Sequence, residues 1–180
     1  RMYLLGLVSA RMGDVERAEQ YAGEIPRQKF PAGFESLAGD FARSVRAQID
    51  RVQGKPIDAL KKLEPLLAET RNPLESPFVS EAYERFTRAE LLFEADRGPE
   101  ALRWFDHLVE SSVFEFVYLP LSHLRRAEIL ERRGDSKNAA TAYQAFIDLW
   151  GNCDPELRPM IDPAKRSLQG LAAATGKTRK

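Results

Sequence analysis

The chain has 180 residues, 43% of them apolar, and this length fits one domain or about four to five pairs of helices. Its 27 Lys and Arg residues balance 27 Asp and Glu residues, which argues against binding to nucleic acid or to an anionic membrane surface. Its single cysteine, Cys153, cannot form an internal disulfide, and we expect a reducing, cytoplasmic location.

The first predicted unit covers residues 1 to about 25. Leu4 and Val8 precede a Gly13–Asp14 turn, and apolar positions resume after it. The chain begins directly in an apolar segment, without the cationic start and small-residue cleavage site of a signal peptide. We therefore expect this unit to be truncated and the chain to be a fragment of a longer protein. A membrane anchor elsewhere in that protein stays open, although no apolar run here is long enough for membrane insertion.

The second predicted unit, residues 34–70, is a pair of amphipathic helices. From Phe34 to Val52 the apolar residues recur with a period of about 3.6 residues, and the helix is expected to end near Gly54. Pro56 then stands in the first turn of another periodic run, where its missing N–H has no cost. The pattern predicts a helical hairpin.

Two further hairpins and a final helix are predicted downstream. Residues 77–111 turn at Asp96–Pro99, and residues 119–150 turn at Gly134–Asp135. A capping helix over residues 163–174 is expected to start at Asp162–Pro163 and to cover the end of the last hairpin. Its apolar side should pack near Phe146 and Trp150; this side consists of Ala164, Leu168, Leu171 and Ala172. Residues 176–180 are expected to form a frayed tail.

The units align on small residues, at spacings of 41, 42 and 38 positions. In the first helices these residues are Gly6, Ala47, Ala89 and Ala127, and in the second helices Ala18, Ala59, Ala101 and Ala139. Two helices approach closely only where one of them presents little more than a methyl group. The alignment therefore predicts an all-α stack of antiparallel hairpins.

The fourth unit carries a Gly134–Asp135 turn, an alanine five residues after that glycine, and the aromatic residues Tyr143 and Phe146. This pattern resembles the tetratricopeptide signature, and Gly13–Asp14 with Ala18 repeats part of it. The resemblance implies one right-handed α-solenoid over residues 1–175, in which the first helix of each pair lines a concave surface. The second and third units depart from the pattern, because Lys55–Pro56 follows the glycine in one and Asp96 replaces it in the other.

The end of the chain has a more specific resemblance. Tyr143, Phe146 and Trp150, followed by Asp154–Pro155 and a basic final helix, look like the C-terminal repeat region of bacterial multidomain signalling proteins. Such proteins include eukaryotic-like serine/threonine kinases and transcriptional activators. The resemblance implies that a kinase or DNA-binding part would lie upstream of Arg1.

The residues that could carry chemistry favour structural interpretations. His107 and His123 have no metal-ligand spacing, and Cys153 has no neighbouring histidine in the sequence. Arg125–Arg126 and Arg132–Arg133 are interleaved with acids, which is typical of a solvated helix face. We predict no catalytic residue, no metal site and no cofactor. Phe114, Phe116 and Tyr118 alternate as in an extended segment, which would either fold over an apolar gap or present a sticky edge.

The sequence therefore predicts a scaffold that binds a protein or peptide in a concave groove. The first-helix residues expected to line that groove are Tyr3, Leu7, Ser44, Gln48, Arg51, Tyr83, Phe86, Glu90, Phe93, Leu124, Glu128 and Glu131. Aromatic residues followed by acids favour a partner with apolar anchors and some positive charge. The alternatives are a structural or regulatory module that packs on an upstream domain, self-association into a homo-oligomer, and an enzyme.

Overall fold

The computed structural model describes residues 1–32, 34–67, 80–108 and 113–177. Every regular element in these ranges is helical, which confirms the predicted all-α class. The predicted connectors around residues 68–79 and 109–112 lie outside the described residues, and so do the predicted unit ends at residues 70, 77 and 111.

The helices follow the predicted order along the chain. They are α1 (Met2–Arg11), α2 (Val15–Glu24), α3 (Ser36–Val52), α4 (Pro56–Leu63), α5 (Ala82–Glu94), α6 (Gly98–Asp106), α7 (Leu119–Arg132), α8 (Ser136–Trp150) and α9 (Arg158–Lys177). Short 3₁₀ turns extend α2 and α4 and precede α7 and α9. The chain divides into two compact units, residues 1–97 and 98–180, so that α5 belongs to the first unit and α6 to the second.

The first unit is built from two helix pairs and a further helix. α1 pairs with α2, α3 packs on both of them and pairs with α4, and α5 packs on α4. The core between α1, α2 and α3 is formed by Tyr3, Leu7, Ala10, Ala18, Ala22, Ile25, Ala38, Val45 and Ile49. α3 therefore covers the apolar side of the pair formed by α1 and α2.

The second unit has its own core. α6 packs on α7, α7 pairs with α8, and α9 packs on α8. Its buried residues are Leu124, Ala127, Ala142, Tyr143, Phe146, Ile161 and Ala164. Leu168 and Leu171 pack against this core beside Trp150, which confirms the predicted cover over the last hairpin. Ala172, the fourth residue predicted to contribute, is exposed.

Four helices end in the same turn, at the places that the repeat alignment predicts. In each turn one residue has a positive φ, and the N–H of the next residue donates to a carbonyl five positions back. The positive-φ residues are Gly13, Gly54, Asp96 and Gly134. In the first and fourth turns the following aspartate accepts a hydrogen bond from the backbone of the next helix, from Arg17 and Asn138 respectively, as predicted for an N-cap.

The aligned small residues are all buried, which confirms the prediction that they lie where helices pack closely. The seven alanines are at most 1% exposed. Gly6 is the tightest position, because a Cβ placed there would lie 2.9 Å from Cγ2 of Val45 on α3. An alanine at position 6 would thus require the Val45 side chain or the two helices to shift.

Two local predictions were wrong. The last helix begins at Arg158 and runs through Pro163, where the sequence predicted a start. Ile161, in the turn before this proline, is buried in the second core and anchors the start of the helix. The segment Val113–Tyr118 is a 3₁₀ turn and not extended. With three residues per turn, Phe114 and Phe116 point to different sides, so Phe116 is 57% exposed while Glu115 between them is buried.

Candidate functional site

A buried polar cluster joins the first helices of the first unit. Tyr3 on α1 donates a hydrogen bond to Oε1 of Glu84 on α5 at 2.6 Å, and Ser44 on α3 donates to the same oxygen at 2.8 Å. All three residues are at most 8% exposed. We call this group the Tyr3–Ser44–Glu84 cluster. It joins α1, α3 and α5 within the first unit.

The cluster perturbs the protonation of its members. Burial raises the pKa of the Glu84 carboxyl, and the hydrogen bonds from Tyr3 and Ser44 offset only part of that rise. Burial and the nearby Glu84 carboxyl also raise the pKa of Tyr3. The cluster therefore holds a carboxyl group that is harder to ionise in the folded chain than in the unfolded chain.

This shift predicts a pH-dependent stability that the Glu84→Gln substitution removes. The pKa of Glu84 is higher in the native chain than in the unfolded chain. The protonated Glu84 therefore contributes its full stabilisation at pH values below the pKa of the unfolded chain, and this stabilisation is lost as the pH rises through the pKa of the native chain. The melting temperature of the parent chain, measured by circular dichroism, should fall between pH 4 and pH 8 because of this loss. The melting temperature of the Glu84→Gln variant should fall less over the same range. Glu16→Gln, at an exposed position on α2, is the matched control and should follow the parent. Equal pH slopes for the parent and the Glu84→Gln variant would contradict the prediction.

A second polar group lies along the same three helices. The Tyr83 hydroxyl donates to Oε1 of Gln48 at 2.8 Å, and the guanidinium of Arg11 lies 5.4 Å from the centre of the Tyr83 ring. Arg51 on α3 binds two carboxylates of α5, Glu90 at 2.9 Å and Glu94 at 2.6 Å. Burial opposes the charge of Arg51, but the two carboxylates outweigh it and raise the arginine pKa. These contacts fix α3 against α5.

The structure buries much of the predicted groove. The buried members are Tyr3, Leu7, Ser44, Gln48, Phe86, Glu90 and Leu124, and the half-buried members are Arg51, Tyr83, Phe93, Glu128 and Glu131. Those on α1, α3 and α5 lie within one unit, where several of them contact one another. A partner role for the twelve residues stays a prediction, and only the half-buried members offer surface to a partner in this conformation.

The groove residues of the second unit also have partners on their own helix pair. Glu131 accepts a 2.6 Å hydrogen bond from the hydroxyl of Tyr143 on α8, and Glu128 pairs with Arg125 at 2.9 Å. Burial, followed by the bond to Glu131, raises the pKa of Tyr143. Leu124 lies in the core. Both acids are therefore held in place by a neighbour while remaining partly accessible.

A small pocket in the second unit was not predicted from the sequence. It has a volume of about 280 Å³ and lies between α6, α7 and α8, with His123 and Arg126 on its wall. Burial, and then the charge of Arg126, lower the pKa of His123. Because Arg126 is already paired with Asp106 at 2.7 Å, the pocket lacks an uncompensated charge for an anion.

Sequence reasoning also missed Glu84, the acceptor at the centre of the buried cluster. Its partners Tyr3 and Ser44 lie 81 and 40 positions away, so no local spacing reveals the contact. The other candidate residues have ordinary surroundings: Nδ1 of His107 lies 2.7 Å from the carbonyl oxygen of Arg103, and Cys153 packs beside the second core.

Comparisons with protein-family models, with curated proteins and with solved structures found no match to this chain. Within the described ranges, none of the helices combines the length and apolar character needed to span a membrane. In the same residues no group of three or more His, Cys, Asp or Glu side chains is arranged to hold a metal ion.

Proposed function

We propose that the chain is a protein-binding scaffold of the tetratricopeptide kind, whose first helices line a right-handed groove. The observation that carries the proposal is the recurrence of one unit. The same positive-φ turn follows each first helix at Gly13, Gly54, Asp96 and Gly134, and every paired helix carries a buried small residue at the aligned position. Stacked units of this kind present extended surfaces that bind peptides and proteins.

The partner-binding surface in the first unit is formed by the half-buried groove residues. Tyr83 and Phe93 provide ring surface on α5, and Glu94 beside Arg51 is 36% exposed at its side chain. Aromatic anchors dominate binding energy when a partner buries them, while carboxylates at the rim mainly steer and orient it. This combination favours a partner segment with apolar side chains and a few positive charges.

Alanine substitutions at Tyr83 and Phe93 test the proposal. A partner is first isolated on the immobilised full chain, identified and purified, and its affinity for each variant is then measured by calorimetry. We expect each substitution to weaken binding by about tenfold or more, since a truncated aromatic hot spot costs over 1 kcal/mol. The melting temperature of the Phe93 variant should change little by comparison, whereas the Tyr83 variant also loses the hydrogen bond to Gln48 and should melt somewhat lower.

Ile57→Ala is the control, because Ile57 is a 45% exposed apolar residue on α4, outside the first helices. It should bind like the parent. A large drop in melting temperature for the Phe93 variant, or unchanged affinity of both variants for the partner, would contradict the proposed groove. A second candidate function, packing against another part of the same polypeptide, is favoured by an exposed apolar face on α1.

A further inference from the structure

The outer face of α1 is the most apolar helical surface left uncovered in the described first unit. Leu4 is 49% exposed, Leu5 37%, Val8 53% and Met12 80%. Leu4, Val8 and Met12 follow one another at intervals of four, so they form a continuous stripe on one side of the helix. A stripe of this kind on a helix surface usually marks a contact surface.

The residues that align with Val8 and Leu4 in later units show what kind of contact surface the stripe forms. The spacings of 41, 42 and 38 positions carry Val8 onto Ile49 of α3, Leu91 of α5 and Ile129 of α7. These three residues are only 7%, 0% and 3% exposed. Leu4 likewise corresponds to Val45, which is fully buried. The position of Val8 is thus apolar and covered in every later unit, and that of Leu4 is covered in the second unit, whereas both are open in the first.

On α3 and α7 the aligned apolar residues contact helices that come earlier in the sequence. Val45 and Ile49 belong to the core formed with α1 and α2, where Val45 faces Gly6. Ile129 lies 3.5 Å from the Cβ position of Gly98, at the start of α6. In both cases a branched apolar side chain packs against a glycine of an earlier helix, Gly6 of α1 or Gly98 of α6.

We propose that the α1 face binds a further helical hairpin of the same repeat type, supplied by the same polypeptide immediately before α1. Its first helix would present a small residue to Leu4, as Gly6 does to Val45, and Val8 would pack where Ile49 packs. The α1 face lies at the end of the stack and not in the groove, so binding there is separate from the proposed partner site.

A second copy of this chain is a poorer occupant. By analogy with the later units, Leu4 and Val8 would pack on the side of a hairpin against which the next helix in the sequence normally packs. Among the described residues, α3 covers that side of the first hairpin, α5 packs on α4 and α9 packs on α8. A folded copy therefore offers no open hairpin side of the required kind.

The experiment uses the whole chain with and without an added repeat. A copy of residues 1–41, one repeat spacing, is placed directly before Arg1, and Val8→Asp is made in the original α1 of both chains. In the 180-residue chain we expect the substitution to shift the melting temperature by less than about 2 °C, because Val8 is exposed. In the extended chain it should lower the melting temperature by about 5–10 °C, as Ile49→Asp should in the 180-residue chain.

Hydrogen exchange provides an independent measurement that needs no substitution. Amides of the original α1 should exchange more slowly in the extended chain than in the 180-residue chain, because the added hairpin covers them. Equal effects of Val8→Asp in the two chains, or unchanged exchange of α1, would overturn the proposal. So would a dimer of the 180-residue chain, seen by light scattering, that Val8→Asp dissociates, since the face would then belong to a second copy.

Discussion

Replacing Phe146 by alanine is expected to lower the free energy of unfolding of the second unit by about 3–5 kcal/mol. The Phe146 side chain is 0% exposed and lies among α7, α8 and α9, with its ring centre 5.7 Å from that of Trp150. Truncation removes apolar surface from the core and leaves a cavity that three surrounding helices cannot fill without moving.

Tryptophan fluorescence during urea unfolding measures this effect directly. Both tryptophans, Trp104 and Trp150, lie in the second unit, so the signal reports that unit even if the two units unfold separately. Leu149→Ala is the matched control, because Leu149 is on the same helix but is 51% exposed, and it should cost under about 0.5 kcal/mol. Similar losses for the two variants would contradict the assigned core.

Removing residues 163–180 is expected to cost the second unit on the order of 4 kcal/mol and to promote aggregation. The deletion takes away Ala164, Leu168 and Leu171, which cover the core on α8, and leaves only the first turn of α9. A single helical turn does not persist alone, so Ile161 would lose its place as well.

A pair of point variants distinguishes the loss of the apolar contacts of α9 from the effect of shortening the chain. Leu168→Asp places a charge against the core, whereas Gln169→Asp places the same charge at the adjacent exposed position of α9. Urea unfolding and light scattering should show a large loss of stability and aggregation for Leu168→Asp alone. A shortened chain that stays monomeric and as stable as the parent would show that α9 is dispensable.

Several parts of the fold follow from local sequence rules. Gly13, Gly54 and Gly134 mark helix ends. The residue that follows each helix adopts the left-handed backbone conformation, which glycine adopts with almost no strain. Asp96 adopts the same conformation with φ of 57°, so its turn was recognisable only from its place in the repeat. Proline was less informative, since Pro163 continues a helix that Ile161 anchors by burial.

The candidate site shows the limit of the same reasoning. Helical periodicity shows which residues of the first helices lie outside the apolar stripe, but it does not show whether a neighbouring helix covers them. Ser44 and Glu90 were predicted to line a groove, yet they are buried by contacts across α1, α3 and α5. Whether these side chains are buried depends on how closely the first helices approach one another, and contacts between residues far apart in the sequence decide that distance.

The helical class and the glycine turns were predictable from the local amino-acid pattern, because backbone conformation is decided by a few neighbouring residues. The Asp96 turn and the small residues at the helix crossings were predictable because the same pattern repeats along the chain. Helix packing in three dimensions was needed to show that Tyr3, Ser44 and Glu84 share a buried hydrogen-bond cluster and that the apolar face of α1 stays open. Both features depend on which helices meet in space, and residues up to 81 positions apart enter those contacts together.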